Sequence, residues 1–453
     1  QVRDAKELLM TAEGESQQLR CMLEKQQSNT EELVKLAHQT GEVEALRHRM
    51  QTENSDHAKA LVEAKSRIAA LEEEVRGGEA QRRKMHNLIQ ELRGNVRVFA
   101  RVRPFLPSDS AAEESSGSAV EVRSDGESLV IAKPGGGDEV HGFSFDKAFP
   151  PSVGQEQVFT EVSEFVQSAL DGYQVCLFSY GQTGSGKTHT MQGSGHGPMK
   201  GIIPRAIEQV GRYKETLEAQ GWSYAMEVTF VELYNEQIRD LLRPSDSKAA
   251  VSLDLRTLGR EVVVQDVTRL AVDPRDDQSI VEIMDLAARH RAVGVTDMNA
   301  QSSRSHSVFT LHLKGENAQL KTSMSGALNL VDLAGSERLS RSGATGDRMK
   351  ETQAINKSLS CLTDVFMALS NKNSHIPFRN SKLTHLLSPC LSGDGKTLMM
   401  VNLSPTQDSY FETLCSLRFA STVNKCELGR PKKQVRELGG SASNAAAPKK
   451  SKK

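Results

Sequence analysis

From Leu8 to Leu92 the apolar residues return at alternating steps of three and four. Placing Leu61, Ile68, Val75, Arg82 and Ile89 at the a positions of a heptad puts Ala64, Leu71, Gly78, Met85 and Leu92 at d. The same register runs back through Met50, Val43, Leu36, Leu33, Met22 and Leu19 to Leu8 without a skip. Sixteen of the 25 a and d sites are Ala, Leu, Met, Val or Ile, and no proline precedes Pro104. The spacing predicts one continuous helix, about 130 Å long at 1.5 Å per residue. A sustained period of 3.5 winds helices into a left-handed supercoil, so the segment implies self-association or a heterodimer; a solvated single helix is the alternative. Glu15, Gln26, Asn29, Thr40, Arg47, Asn54 and His57 interrupt the seam, and Gly77-Gly78 lowers helix propensity, so fraying is expected there.

Past Gly94 the seven-residue pattern stops and short apolar runs alternate with helical ones, the mark of a sheet covered by helices. Strands are predicted at Val96–Val102, Val175–Tyr180, Ala225–Leu233, Ser307–Leu313, Ala327–Asp332 and Thr397–Leu403, and helices at Gln157–Leu170, Ser279–Arg291 and Lys350–Ser370. Ser108–Ser118 and Lys133–His141 read as small, polar surface loops. The division is then a coiled-coil stalk and neck helix over 1–93, an α/β head over 94–430 and a basic, disordered tail over 431–453.

The head carries three polar segments at the edges of apolar strands. Gly181, Gln182, Thr183, Gly184, Ser185, Gly186, Lys187 and Thr188 form G-x-x-x-x-G-K-T directly after a strand, where backbone N–H groups converge on phosphate oxygens. Lys187 supplies a point charge for the outer phosphates, and the Thr188 hydroxyl is a ligand for Mg²⁺. Asn299-Ala-Gln-Ser-Ser-Arg-Ser-His306 precedes a strand and on its own reads as a capping or turn cluster. In Asp332-Leu-Ala-Gly-Ser-Glu337 a strand ends in an acid, where a magnesium-linked carboxylate belongs beside a phosphate loop, and Gly335 offers an N–H to a γ-phosphate.

Together, in this order, these segments resemble the kinesin motor domain. The resemblance extends to Arg101-Val-Arg-Pro104, to Tyr234-Asn-Glu-Gln-Ile-Arg-Asp-Leu-Leu242 and to His375-Ile-Pro-Phe-Arg-Asn-Ser-Lys-Leu-Thr384, and covers Asn95 to about Arg430. It implies an α/β P-loop NTPase motor fold, a central sheet flanked by helices, preceded by the coiled coil. It also implies a microtubule-stimulated ATPase using ATP and Mg²⁺. Arg101 and Pro104 would pack on adenine, Ser303 would join Thr188 on Mg²⁺ with Asp332 acting through water, and Arg304 and Glu337 would pair to close the two switches. Gly335 would sense the γ-phosphate, and Asn299 and Ser302 complete the implied catalytic set. Tubulin contacts would fall on Arg338, Arg341, Lys350, Lys357, Arg379 and Lys382; alone, such charges read rather as a solvated helix face, and the motif context reverses that.

Charge sharpens this picture. The chain is −1 overall, the stalk −2 and residues 429–453 +7, leaving the middle near −6, so an acidic polymer must be met by a local basic patch. Leu92 stands three residues before the first strand, so the stalk feeds directly into the head. That order, with Gly94-Asn95 at the joint, resembles the C-terminal-motor kinesins of class 14, whose members move toward microtubule minus ends. A non-motile crosslinker using the same head is the alternative. A chromosome-organising coiled-coil ATPase is disfavoured because Leu391-Ser-Gly-Asp imitates its second motif poorly, and a GTPase because Asn371-Lys-Asn-Ser374 lacks a guanine-reading aspartate. Six scattered cysteines without C-x-x-C spacing read as free thiols of the cytoplasm or nucleus, and the resemblance implies a place on the microtubule cytoskeleton. A start at Gln1 reads as a piece of a longer protein. Lys449 to Lys453 offers a nuclear-import signal, a weak second microtubule contact or a plain solvated tail.

Overall fold

The computed structural model describes residues 2–37, 43–110, 114–115, 117–135, 139–194, 197–243, 252–259, 261–273, 275–293, 303–337, 347–393, 395–429 and 431–437. The chain divides into two units, 1–89 and 90–453.

In the first unit the predicted single helix is two: α1 (Val2–Ala37) and α2 (Val43–Arg93), the latter continuing into the second unit. They fold back on each other. Gln26 Nε2 donates to Glu53 Oε2, a Cβ on Gly78 would lie 2.5 Å from Val2 Cγ2, and the positive charge of Lys6 helps hold the Glu79 carboxyl below its usual range. Burial raises that carboxyl, but bonds from Arg82 outweigh it at 2.6 and 2.8 Å. The second helix of the chain then covers part of the apolar stripe of the first. The cover is partial. Ala5, Ala12 and Val75 are buried, but Leu8, Met22 and Leu33 stay exposed. Among the described residues no helix is long and apolar enough to cross a membrane.

The second unit opens with strands β1 (Val96–Val102), β2 (Val120–Val122), β3 (Ser128–Ala132), β4 (Val140–Ser144) and β5 (Lys147–Phe149), then α3 (Gln155–Leu170). There follow β6 (Gln174–Tyr180), α4 (Lys187–Met191), α5 (Ile202–Glu218), β7 (Trp222–Tyr234), β8 (Gln237–Asp240), β9 (Leu255–Leu258), β10 (Glu261–Val264), β11 (Leu270–Ala271) and α6 (Asp277–Val293). The chain ends in β12 (His306–Asn317), β13 (Thr322–Asp332), α7 (Asp347–Ser370), α8 (Lys382–Leu391), β14 (Gly395–Leu403), α9 (Tyr410–Asn424) and β15 (Val435–Glu437).

The main sheet runs β11-β7-β12-β13-β6-β14-β1-β5. From β13 to β5 its pairings are parallel, and β7, β11, β12 and β13 pair antiparallel. All six predicted strands and all three predicted helices are present, the strands growing by up to five residues where hairpin partners extend them. β6 and β14 are buried almost throughout, as strands covered on both faces must be. The two apolar layers lie on opposite faces of the sheet, one containing Leu362, Phe366, Leu417 and Val401, the other Phe165, Ile207, Phe230 and Met400. On α7 Ile355, Leu359, Leu362 and Phe366 are buried and Leu369 is half-buried. At Gly326 a Cβ would stand 2.0 Å from the carbonyl oxygen of Ala169, so glycine is required for α3 to approach β13.

One charge lies deep in this frame. Lys396 on β14 is 2% exposed; its Nζ donates to Ser168 Oγ at 2.9 Å and stands 4.3 Å from the Tyr173 ring centroid. Burial pushes its ammonium down to about 8, against the pull of Asp171, Glu91 and Glu164.

Candidate nucleotide site and its switches

β6 ends at Tyr180 and the chain turns at Gly181, whose φ of 149° and close approach to Asn402 exclude a side chain: a Cβ would meet Asn402 O at 2.3 Å. Gly186, at φ 95°, is the N-cap of α4. The loop between is tied to itself by the Ser185 hydroxyl on the Gln182 carbonyl at 2.8 Å, and to the start of α9 by Gln182 Nε2 on Ser409 Oγ at 2.9 Å. Lys187 is buried; its Nζ donates to the carbonyls of Gly181 and Gln182, each at 2.9 Å. Burial lowers its pKa, and Asp332 and Glu337 oppose the shift. Two backbone carbonyls therefore hold the ammonium at the loop's centre, where it is available to an anion.

Thr188 and Asp332 meet as expected. The Thr188 hydroxyl donates to Asp332 Oδ2 at 2.7 Å, and Ser179 Oγ donates to Oδ1 at 3.1 Å. A hydroxyl beside one carboxylate is a donor set that suits Mg²⁺. The rigid glycine turn and the held lysine fit a phosphate chain.

Hydrogen bonds tie the phosphate loop to the 332–337 segment, and that segment to the one ending at His306. Gly335 N–H donates to Ser303 O at 2.8 Å, Ser336 N–H to Gly181 O at 3.1 Å, and Ala334 N–H to His306 Nδ1 at 3.1 Å. The amide of Gly335, expected to read a γ-phosphate, is thus bound to the carbonyl of Ser303. Glu337 differs from expectation in its partner: its carboxylate accepts from Thr183 N–H at 2.9 Å and from Thr183 Oγ1 at 2.6 Å, not from Arg304. A backbone amide and a hydroxyl in the same residue satisfy both oxygens, which is a local alternative to a guanidinium. Arg304 is half-buried. Asn299 and Ser302 lie outside the described residues.

Arg101 does not face outward. It is buried, with Nη1 bonded to Gln155 Oε1 at 2.7 Å and Thr190 Oγ1 at 2.9 Å, and burial alone brings its pKa down to about 10. It supports α4 from beneath, whereas Pro104 is exposed. Arg103 is the arginine at the loop: its Nε donates to Gly184 O at 2.7 Å, and Asp109 holds its guanidinium at 2.6 and 3.0 Å. Sequence reasoning missed Arg103 although it stands in the same Arg-Val-Arg-Pro run; the strand ends at Val102, so the two arginines leave the sheet differently.

On the opposite side of the core, Lys357 on α7 and Arg379 are exposed. Lys382 is half-buried, and its Nζ binds Asp254 Oδ1 at 3.1 Å and Leu253 O at 3.4 Å. Asp254 is exposed, so Lys382 shares its charge in a solvent-facing ion pair. Arg338 and Arg341 lie outside the described residues, as does the side chain of Lys350.

A parallel-cored sheet with a phosphate loop at one strand end, the 332–337 segment bonded to that loop and the 303–306 segment bonded in turn to it, defines a P-loop nucleotide-binding head. The family model described as Kinesin motor domain matches residues 101–426, and the chain belongs to the kinesin family. It is 51% identical over 399 residues to kinesin-like protein KIN-14D of Arabidopsis thaliana, covering 85% of this chain and 50% of that protein. It is 46% identical over 410 residues to carboxy-terminal kinesin 2 of Xenopus laevis, covering 87% and 62%. The chain spans about half the length of the plant relatives it matches. Among solved structures, the C-terminal motor and motor homology domain of Kar3Vik1, fused to a synthetic heterodimeric coiled coil, aligns with a TM-score of 0.73 at 41% identity, covering 84% of this chain and 99% of that one. The motor domain of the Saccharomyces cerevisiae kinesin-related protein KAR3 aligns at 0.63 and 43% identity, covering 73% and 100%.

Proposed function

We propose that this chain is the motor end of a class 14 kinesin: an ATPase stimulated by microtubules that converts hydrolysis into minus-end-directed movement. The observation that carries this reading is the pair of backbone bonds, Gly335 to Ser303 and Ser336 to Gly181, by which a change at one phosphate reaches both switches. Lys187 and the loop amides would hold the phosphates, and Arg103 with Pro104 would border the purine. Thr188, Ser303 and Asp332 would hold Mg²⁺, which would supply positive charge against the phosphates. Arg304 would draw Glu337 away from Thr183, closing the switches and aligning water, with Asn299 and Ser302 lining the closed site. Phosphoryl transfer asks for little more than such positioning and charge.

Lys357 and Arg379, with Arg338, Arg341 and Lys350, form the tubulin-facing set, placing the protein on the microtubule cytoskeleton. The uncovered Leu8, Met22 and Leu33 support pairing of the stalk with a second chain. Direction rests on the order stalk then head and on the carboxy-terminal motors among its relatives. Gliding of polarity-marked microtubules over surface-bound protein tests it: a fixed motor that walks toward minus ends drives filaments plus-end first, and filaments moving minus-end first overturn the direction. Tight binding with no gliding and no stimulated hydrolysis supports a static crosslinker instead.

A further inference from the structure

His306 lies where three parts of the head meet, and its hydrogen bonds allow only one arrangement of protons. The ring is 4% exposed at the start of β12. Because Ala334 N–H donates to Nδ1 at 3.1 Å, that nitrogen carries a lone pair, and the proton of the neutral ring is on Nε2. Nε2 then donates to Ser358 Oγ at 2.7 Å, and the Ser358 hydroxyl passes its own proton on to Ile355 O at 2.7 Å. Amide, ring, hydroxyl and carbonyl form a chain in which every donor has an acceptor. Burial, with the charge of Lys187 nearby, brings the ring's pKa down to about 3, so the neutral form persists under ordinary conditions.

The ends of this chain lie on different elements. Ala334 precedes Gly335, whose amide is bound to Ser303; His306 closes the segment that contains Ser303; Ser358 is on α7, next to exposed Lys357. Beside the ring is a void of about 10 Å³ bordered by Arg304, Leu233 and Ile355, space for one water at most, so the linkage has room to tilt without breaking a packed layer.

We infer that His306 is a positioning residue that couples the two switch segments to α7 through Ser358. Ala334 cannot shift against β12 without drawing the ring, and the ring cannot turn without pulling Ser358. This rests on the proposed function, in which α7 faces the polymer and the switches follow ATP.

The test is steady-state ATPase of the full chain against microtubule concentration, with co-sedimentation in ADP and in a non-hydrolysable ATP analogue. Ser358→Ala should retain basal turnover and lose about 5- to 100-fold of microtubule stimulation, the range of an ordinary coupling energy, with its affinities in the two nucleotides drawn together. His306→Asn, which keeps an acceptor for Ala334 N–H but cannot reach Ser358, should reproduce that loss, and the double variant should be no worse than either single one. Ser358→Thr should restore stimulation. A merely structural role would lower the melting temperature while leaving the ratio of the two affinities unchanged. Wild-type stimulation in Ser358→Ala, or losses that multiply in the double variant, overturns the inference; if His306→Asn does not fold, Ser358→Ala and Ser358→Thr decide it. A wild-type chain without stimulation overturns the functional reading itself, a separate result.

Discussion

Glu337 rests on Thr183, its two carboxylate oxygens taking the amide proton at 2.9 Å and the hydroxyl proton at 2.6 Å. The residues are 154 positions apart, and the contact pins the second switch to the phosphate loop. In the proposed cycle Arg304 competes with Thr183 for this carboxylate, so the switch would exchange one set of bonds for another.

Arg304→Ala and Glu337→Ala should each lower microtubule-stimulated turnover by about 10²- to 10³-fold, as expected for loss of a group that orders the transition state. In the proposed closed site the two would act as one pair, so the double variant should be no slower than either. Nucleotide binding, followed with a fluorescent ATP analogue, should survive in all three; additive losses would show that the residues act separately.

Among the basic residues opposite the nucleotide site, the structure ranks what the sequence treats alike. Lys357→Ala and Arg379→Ala should each raise the microtubule concentration for half-maximal turnover by about two- to fivefold, the value of a solvent-exposed ion pair. Lys382→Ala should change it less, because Asp254 already binds its ammonium. Asp254→Ala should strengthen binding, and all these differences should shrink as salt is raised.

Lys396 makes stability rise with pH in a defined window. Its ammonium titrates near 8 in the folded protein and at its ordinary 10.5 when unfolded, so between these values the unfolded chain binds more protons and raising pH favours folding. The penalty is fully present below 8 and gone above 10.5, on the order of 3 kcal/mol in all. Urea unfolding of wild type and Lys396→Met across this range checks it: the wild type should gain on the variant as pH rises, and parallel curves would contradict the assigned shift.

Glycine-to-alanine changes should split by what surrounds them. Gly326→Ala forces a carbon against the Ala169 carbonyl and should destabilise the head by about 1–3 kcal/mol or more. Gly77→Ala, with nothing within 4 Å on a helical segment, should instead stabilise α2 by up to about 1 kcal/mol. Phe366→Ala, fully buried between α7 and the sheet, should cost about 3–5 kcal/mol. Denaturation midpoints read all three.

The long apolar runs at Val175–Tyr180 and Thr397–Leu403 were legible because strands buried on both faces leave no polar alternation to confuse them. Strands β2, β3 and β4 were not, being three to five residues long with half their side chains near solvent. The phosphate loop and the Thr188–Asp332 pair were readable because a strand-to-turn junction dictates both residue type and place. The Thr183–Glu337 contact was hidden, since either an amide or a guanidinium satisfies a carboxylate and only the fold selects between them. The return of α1 on α2 was equally hidden: a heptad seam states that a partner exists but not whether it belongs to the same chain. His306 read as part of a turn cluster because nothing local announces Ser358, 52 residues onward.

β12 begins beside one switch and β13 ends beside the other, with Ser307 opposite Asp332 and the ladder running unbroken to Asn317 opposite Thr322. The spacing of the two switches is thus set at the ladder's closed end by eleven paired rows and owes nothing to the turn at its far end, where Leu320 lies open to solvent. That turn is therefore a handle. A dye, an affinity tag or an inserted peptide grafted between Asn317 and Thr322 would ride on the head while the catalytic end keeps its register.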